Sequence, residues 1–133
     1  MQVYEFRRDD ATASYEYRSL PTRTKSTSTV FGRRLREARL RAGIPQDRLG
    51  VAIGLDESTA STRISRYETG VHATPFDTAV LLAHALDVPT PYLYCEDDEL
   101  AALVLSWGGL SKGERRRVRL FIDELESTSK GPR

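Results

Sequence analysis

The chain has 133 residues, of which 39% are hydrophobic and 29% charged, a composition that supports one folded domain with polar ends. No run approaches the ~18 apolar residues that span a bilayer, the N-terminus carries no apolar leader-like segment, and a lone cysteine, Cys95, excludes an internal disulfide framework and a cysteine-rich metal site. The net charge of +1 identifies no partner, but five arginines face one glutamate over residues 30–43, and six acids without Lys or Arg fill residues 76–99. Such polarity fits nucleic-acid binding on one face, and equally well the solvated faces of ordinary helices.

Residues 1–29 read as a flexible N-terminal arm, because the stretch TRTKSTST cannot bury enough apolar surface to offset the entropy of ordering. Tyr4, Phe6, Tyr15 and Tyr17 alternate loosely within it and leave a short strand open. From Val30 the apolar residues recur at helical spacing. Phe31, Leu35, Ala38 and Leu40 form a stripe, Thr29 or Ser28 caps its start, and Gly43 stops it. A second helix opens at Pro45 and ends at Gly54. A third starts behind Asp56 or Ser58 and stops at Gly70. Pro75 leads into a fourth, with Phe76, Ala79, Val80, Leu82, Ala83 and Leu86 as its buried stripe, and a short turn follows around Tyr92 and Leu93.

Beyond Cys95, Leu100, Leu103, Val104 and Trp107 recur at helical spacing in a helix over roughly residues 97–107, which Gly108–Gly109 breaks. Ser111 with Glu114 makes a capping box for a last helix, over roughly 111–126, whose apolar face is Val118, Phe121, Ile122 and Leu125. The fold class is therefore all-α. The boundaries are an arm at 1–29, a helical domain at 30–95, a helical extension at 96–126 and a flexible tail at 127–133.

The informative stretch is IPQDRLGVAIGLDESTASTRISRYETG, residues 44–70. Two helices that cross closely need a small residue in the first, a glycine at the turn, and apolar residues on their facing sides. Gly50 is the small residue, Gly54 the turn, and Leu49, Ile53, Leu55, Ile64 and Tyr67 the packing set.

With FGRRLREARLRAG before it, and RISRYETG and PFDTAVLLAHALDVPTPYLY as further signatures, the chain over roughly residues 31–94 resembles the Cro/CI-like, or XRE-type, helix-turn-helix family. The resemblance implies a five-helix, lambda-repressor-like DNA-binding domain and a sequence-specific transcriptional regulator. By position, Gln46 would bond a phosphate at a helix N-terminus. Ser61, Thr62, Ser65 and Arg66 would read base edges in the major groove, Arg66 by two hydrogen bonds to guanine. Arg63 and Thr69 would meet the phosphate track. Arg39 and Glu68 match a pairing that ties the first helix to the recognition helix.

Two departures stand out. Pro45 occupies the place of the usual Ser or Thr cap, and the spacing from Gly54 to Gly70 is four residues longer than the common pattern. Four residues are close to one helical turn, so Ala60, Ile64 and Tyr67 keep one stripe. The recognition helix is expected to gain a turn at its N-terminus, bringing Ser58, Thr59 and Arg63 nearer the groove; a longer connecting loop is the alternative.

Nothing points to an enzyme, a cofactor or a metal. The two histidines, His72 and His84, fall in a loop and in the fourth helix, and no catalytic or phosphate-loop motif is present. The consecutive acids Glu96 to Glu99 cannot converge on one ion, and suit a helix N-terminus. The expected partners are double-stranded DNA, as a palindromic operator, and a second copy of the chain, with Trp107, Phe121 and Leu125 as candidate anchors of a dimer. The alternative for the extension is padding of the monomer core. The alternative for the whole is an antitoxin-like module that holds a protein partner and binds DNA secondarily. Cytoplasmic, nucleoid-associated localisation follows from either.

Overall fold

The first helix begins where Thr29 turns its hydroxyl onto the N–H of Gly32, 3.0 Å away, satisfying one of the donors that a helix start leaves open. The structure, a computed structural model, describes residues 4–8, 15–19 and 29–131. Helices α1 (Val30–Ala42), α2 (Gln46–Ala52), α3 (Glu57–Thr69) and α4 (Phe76–Ala85) follow in order. A 3-10 turn (Thr90–Tyr94) then leads to α5 (Asp98–Gly109) and α6 (Lys112–Ser129). The fold is thus all-α. Ahead of it, strands β1 (Tyr4–Arg8) and β2 (Tyr15–Ser19) pair antiparallel, with Phe6 opposite Tyr17. The remainder of the N-terminal arm, and residues 132–133 of the tail, lie outside the described residues.

One core serves the four helices and the turn. Leu35 and Ala38 of α1, Leu49 of α2, Ile64 and Tyr67 of α3, Leu82, Ala83 and Leu86 from α4 and its C-cap, and Tyr92 and Leu93 are all buried in it. Packing at this density leaves no room for slack between α1, α2 and α3. A Cβ on Gly50 would stand 2.6 Å from the Cβ of Ala60, and one on Gly32 would stand 2.2 Å from the carbonyl oxygen of Glu68. Both glycines are therefore what lets the neighbouring helix approach.

Several expectations from the sequence need correction. Leu40 is 59% exposed, so the α1 stripe is Phe31, Leu35 and Ala38 only. Arg34, one of the five arginines of residues 30–43 and off the apolar stripe by helical period, is nonetheless 3% exposed. Its Nε donates to the carbonyl of Cys95 (2.8 Å), its Nη2 to Asp98 (2.8 Å) and its Nη1 to Glu37 (3.1 Å), and it lies over the ring of Tyr92. Burial works against its charge, but the bonds to Asp98 and Glu37 outweigh this and hold the guanidinium above its ordinary range. Phe76 is also outside the core, at 66% exposure.

In α5 the inward face is Ala101, Val104 and Leu105, while Leu100 and Leu103 face solvent. Period alone could not choose between these two overlapping stripes. Gly108 and Gly109 do not break the helix early; they form its last turn. Arg115 of α6 caps that end by donating to the carbonyls of Trp107 (3.0 Å) and Gly108 (3.2 Å). The Ser111–Glu114 capping box is present. Helix α6 runs three residues past the expected end, because the hydroxyls of Ser127, Thr128 and Ser129 bond back to carbonyls of its previous turn. Those residues were assigned to a flexible tail.

Candidate nucleic-acid interface

Helix α3 starts at Glu57, separated from the left-handed Gly54 (φ 91°) only by Leu55 and Asp56. The extra residues between Gly54 and Gly70 are therefore helical rather than loop. Asp56 is the N-cap and accepts from the backbone N–H and the hydroxyl of Ser58. These two bonds, hydroxyl first, lower the Asp56 carboxyl below its ordinary value. Thr59 likewise turns its hydroxyl to the Asp56 carbonyl, at 3.3 Å. The hydroxyls of Ser58 and Thr59, assigned towards a groove, are thus engaged in the cap.

The buried side of α3 carries Ala60, Ile64, Tyr67 and Glu68, which fixes the opposite side outward. Ser61, Thr62, Arg63, Arg66 and Thr69 are exposed there and Ser65 is half-buried. Thr69 bonds back to the Ser65 carbonyl (2.9 Å). Among the described residues, the side chains of Thr62, Arg63, Ser65 and Arg66 have no intramolecular hydrogen-bond partner. The helix therefore presents two guanidinium groups and two hydroxyls whose hydrogen-bonding capacity faces outward.

Beneath this face lies a polar junction. Glu68 is 6% exposed. It receives both Nε and Nη2 of Arg39, the latter at 3.3 Å, while Arg39 Nη1 donates to the carbonyl of Ile44 at 3.1 Å. The side-chain amide of Gln46 donates to the same carboxylate (2.9 Å) and its carbonyl accepts from Ser61 (3.4 Å). One buried acid thereby joins α1, α2 and α3, and the residue assigned to a phosphate is also a strut between α2 and α3. Pro45 supplies no side-chain cap to α2.

A cleft runs from α1 past this junction, lined by Arg33, Arg36, Glu37, Arg39, Leu40, Gln46, Ser65, Glu68 and Thr69. Arg36 joins this lining although the family resemblance implies no role for it. The signal was its position one turn from Arg33 and away from Leu35 and Ala38, where it has no core to enter. His72 and His84 are exposed, and the backbone N–H of His72 donates to the carbonyl of Arg66 (3.3 Å) just beyond the end of α3. No cluster of His, Cys, Asp or Glu among the described residues fits a metal ion, and no described helix is long and apolar enough to cross a membrane.

Two helices crossing at a glycine-marked turn, the second presenting an outward polar face, define a helix-turn-helix unit. A family model described as a helix-turn-helix domain matches residues 30–92. Among solved structures, the crystal structure of transcriptional regulator BswR is 41% identical, with a TM-score of 0.70, and the match covers 73% of this chain and 96% of that one. That share is larger than the helix-turn-helix domain, so the likeness continues beyond it. No curated protein matches the chain. The chain belongs to the helix-turn-helix family.

Proposed function

We propose that the protein is a sequence-specific transcriptional regulator of the Cro/CI-like kind, a repressor that binds double-stranded DNA with α3 in the major groove. The observation that carries this reading is the outward face of α3, where the side chains of Thr62, Arg63, Ser65 and Arg66 have no hydrogen-bond partner among the described residues, on a helix whose other side is locked into the core. Arg66 is the candidate for guanine O6 and N7, with Ser61, Thr62 and Ser65 as the adjoining base readers. Arg63, Thr69 and Gln46, joined by Arg36, line the path a phosphate backbone would take. Ser58 and Thr59 lie at the groove end of the added turn.

The likeness to a transcriptional regulator supports the regulatory role, and a cytoplasmic, nucleoid-associated location belongs to the same proposal. A homodimer on a palindromic operator follows from the geometry of the class, since two recognition helices then meet half-sites ~34 Å apart. A second reading, an antitoxin-like module that holds another protein, draws on the exposed apolar face of α6. Copurification of a stoichiometric second protein would favour it.

Selection of bound duplexes from a random pool tests the main reading. Arg66→Ala is expected to relax preference at one base pair and to lose ~1–3 kcal/mol of discrimination there. Arg63→Ala should weaken all sequences alike and flatten the salt dependence. An unchanged selected motif with Arg66→Ala would overturn the assigned readout.

A further inference from the structure

Helix α6 is 18 residues long and none of them is buried. Its apolar residues Val118, Phe121, Ile122 and Leu125 are all exposed, Phe121 at 59%. They recur at the i, i+3, i+4, i+7 spacing of a single stripe. Its only described bonds to the rest of the molecule are those of Arg115 to the end of α5. A lone helix of this length is marginal in water, and most helical stability comes from a packed apolar face.

The charges on α6 deepen the problem. Its N-terminal half holds Lys112, Arg115, Arg116, Arg117 and Arg119 against one acid, Glu114, and its C-terminal half holds Asp123, Glu124 and Glu126, with no basic residue in the last turn. Beyond the first-turn Glu114 of the capping box, this order opposes the helix dipole, which favours acids near the start and bases near the end. The helix's own electrostatics do not account for such a pattern. A neighbour running the other way does.

Resting on the dimer reading above, we infer that α6 is the dimer interface, pairing antiparallel with α6 of a second copy. A two-fold axis beside Phe121 and Ile122 sets Val118 against the partner's Leu125 and closes the stripe on itself. Arg117 and Glu124 border the stripe on one side, Arg119 and Glu126 on the other. In an antiparallel pair each border meets its own copy, so Arg117 faces the partner's Glu124 and Arg119 the partner's Glu126. In a parallel pair the two borders would face each other, setting arginine against arginine and glutamate against glutamate. The charges thus select the partner and its direction.

Sedimentation equilibrium of the full chain, with Arg117→Glu, with Glu124→Arg, and with an equimolar mixture of the two variants, decides the point. The unmodified chain is expected to be dimeric at ten micromolar. Each single variant places two like-charge contacts in the interface and should weaken dimerisation about tenfold or more. The mixture should recover it, because a heterodimer of the two restores both opposite-charge contacts. Binding to a duplex carrying one half-site should stay unchanged throughout, which also reports that the variants fold. A monomeric unmodified chain would overturn the dimer reading and this interface together. A dimer that is indifferent to the single variants, or tighter with Arg117→Glu as a parallel pair requires, would overturn this interface alone. Lost half-site binding with intact dimerisation would assign the α6 arginines to DNA instead.

Discussion

Removing Arg39 tests how far the polar junction under α3 holds the DNA-facing surface in place. The pair is largely out of water, with side-chain exposures of 11% for Arg39 and 5% for Glu68. Arg39→Ala deletes both bonds to the carboxylate and the bond to the Ile44 carbonyl. It leaves Glu68 charged, buried and held only by Gln46. Breaking one side of a buried pair costs about 3–5 kcal/mol, and the surviving bond from Gln46 places this case near the lower bound. Against a total stability of about 5–15 kcal/mol, the loss should move a urea midpoint well outside error. Replacing both partners, Arg39→Met with Glu68→Met, removes the stranded charge and should restore much of what the single variant loses. The measurement is urea unfolding of the unmodified chain, Arg39→Ala, the single variants Arg39→Met and Glu68→Met, and the double variant, by far-UV circular dichroism. An Arg39→Ala loss below about 1 kcal/mol, or a double variant less stable than both singles, would refute the assignment of a desolvated, mutually dependent pair.

Other variants probe separate links. Gly50→Ala should cost about 1–3 kcal/mol by overpacking, and it should weaken operator binding in mobility-shift assays beyond the stability loss, since the new methyl group pushes α3 off α2 at Ala60. The depressed Asp56 carboxyl stabilises α3 above its unfolded-state value of 3.8 and loses that contribution as pH falls through the lower folded value. Amide exchange at Ser58, corrected for the intrinsic rate, should accelerate at pH 3 and not between pH 5 and 7, and Asp56→Ala should abolish the pH step. Arg34→Met, which leaves Glu37 and Asp98 without their shared partner, should loosen residues 95–98. Faster hydrogen exchange at the start of α5, with α3 unchanged, is the expected signature.

Most of the helical domain was legible because its signals are local. Thr29, Asp56 and Ser111 cap as their side chains dictate, Gly43, Gly54 and Gly70 take the left-handed turns, and Leu35, Leu49, Ile64 and Leu82 fall on single apolar stripes. What was misread depends on tertiary geometry. Arg34 looked like one more surface arginine because nothing in a helical period says that the Cys95 carbonyl and Asp98 return to it from over sixty residues away. Gly32 carried no local signal for its contact with the backbone of Glu68. In α5 two apolar stripes overlap, and only docking selects Ala101 over Leu100 and Leu103. The α3 face was readable as a set, yet the roles of Ser58, Thr59 and Gln46 within the fold emerge only once Asp56, Glu68 and Ser61 are positioned around them.

The same contrast separates the two ends of the molecule energetically. Around α3 the apolar contacts and the Glu68 junction reinforce one another, so the outward side chains of that helix stand on a support that cannot shift without exposing both a core and a charge. Among the described residues helix α6 finds no such support, and its local stability in a monomer rests on its capping box and on the bonds of Arg115 to the end of α5. Dimerisation would change that for α6 alone. Protection of α6 amides should therefore rise with protein concentration, whereas protection of α3 should not. If α6 pairs as proposed, half-site affinity would be set through α3 and the coupling between half-sites through α6, and substitutions in one helix should leave the other's contribution unchanged.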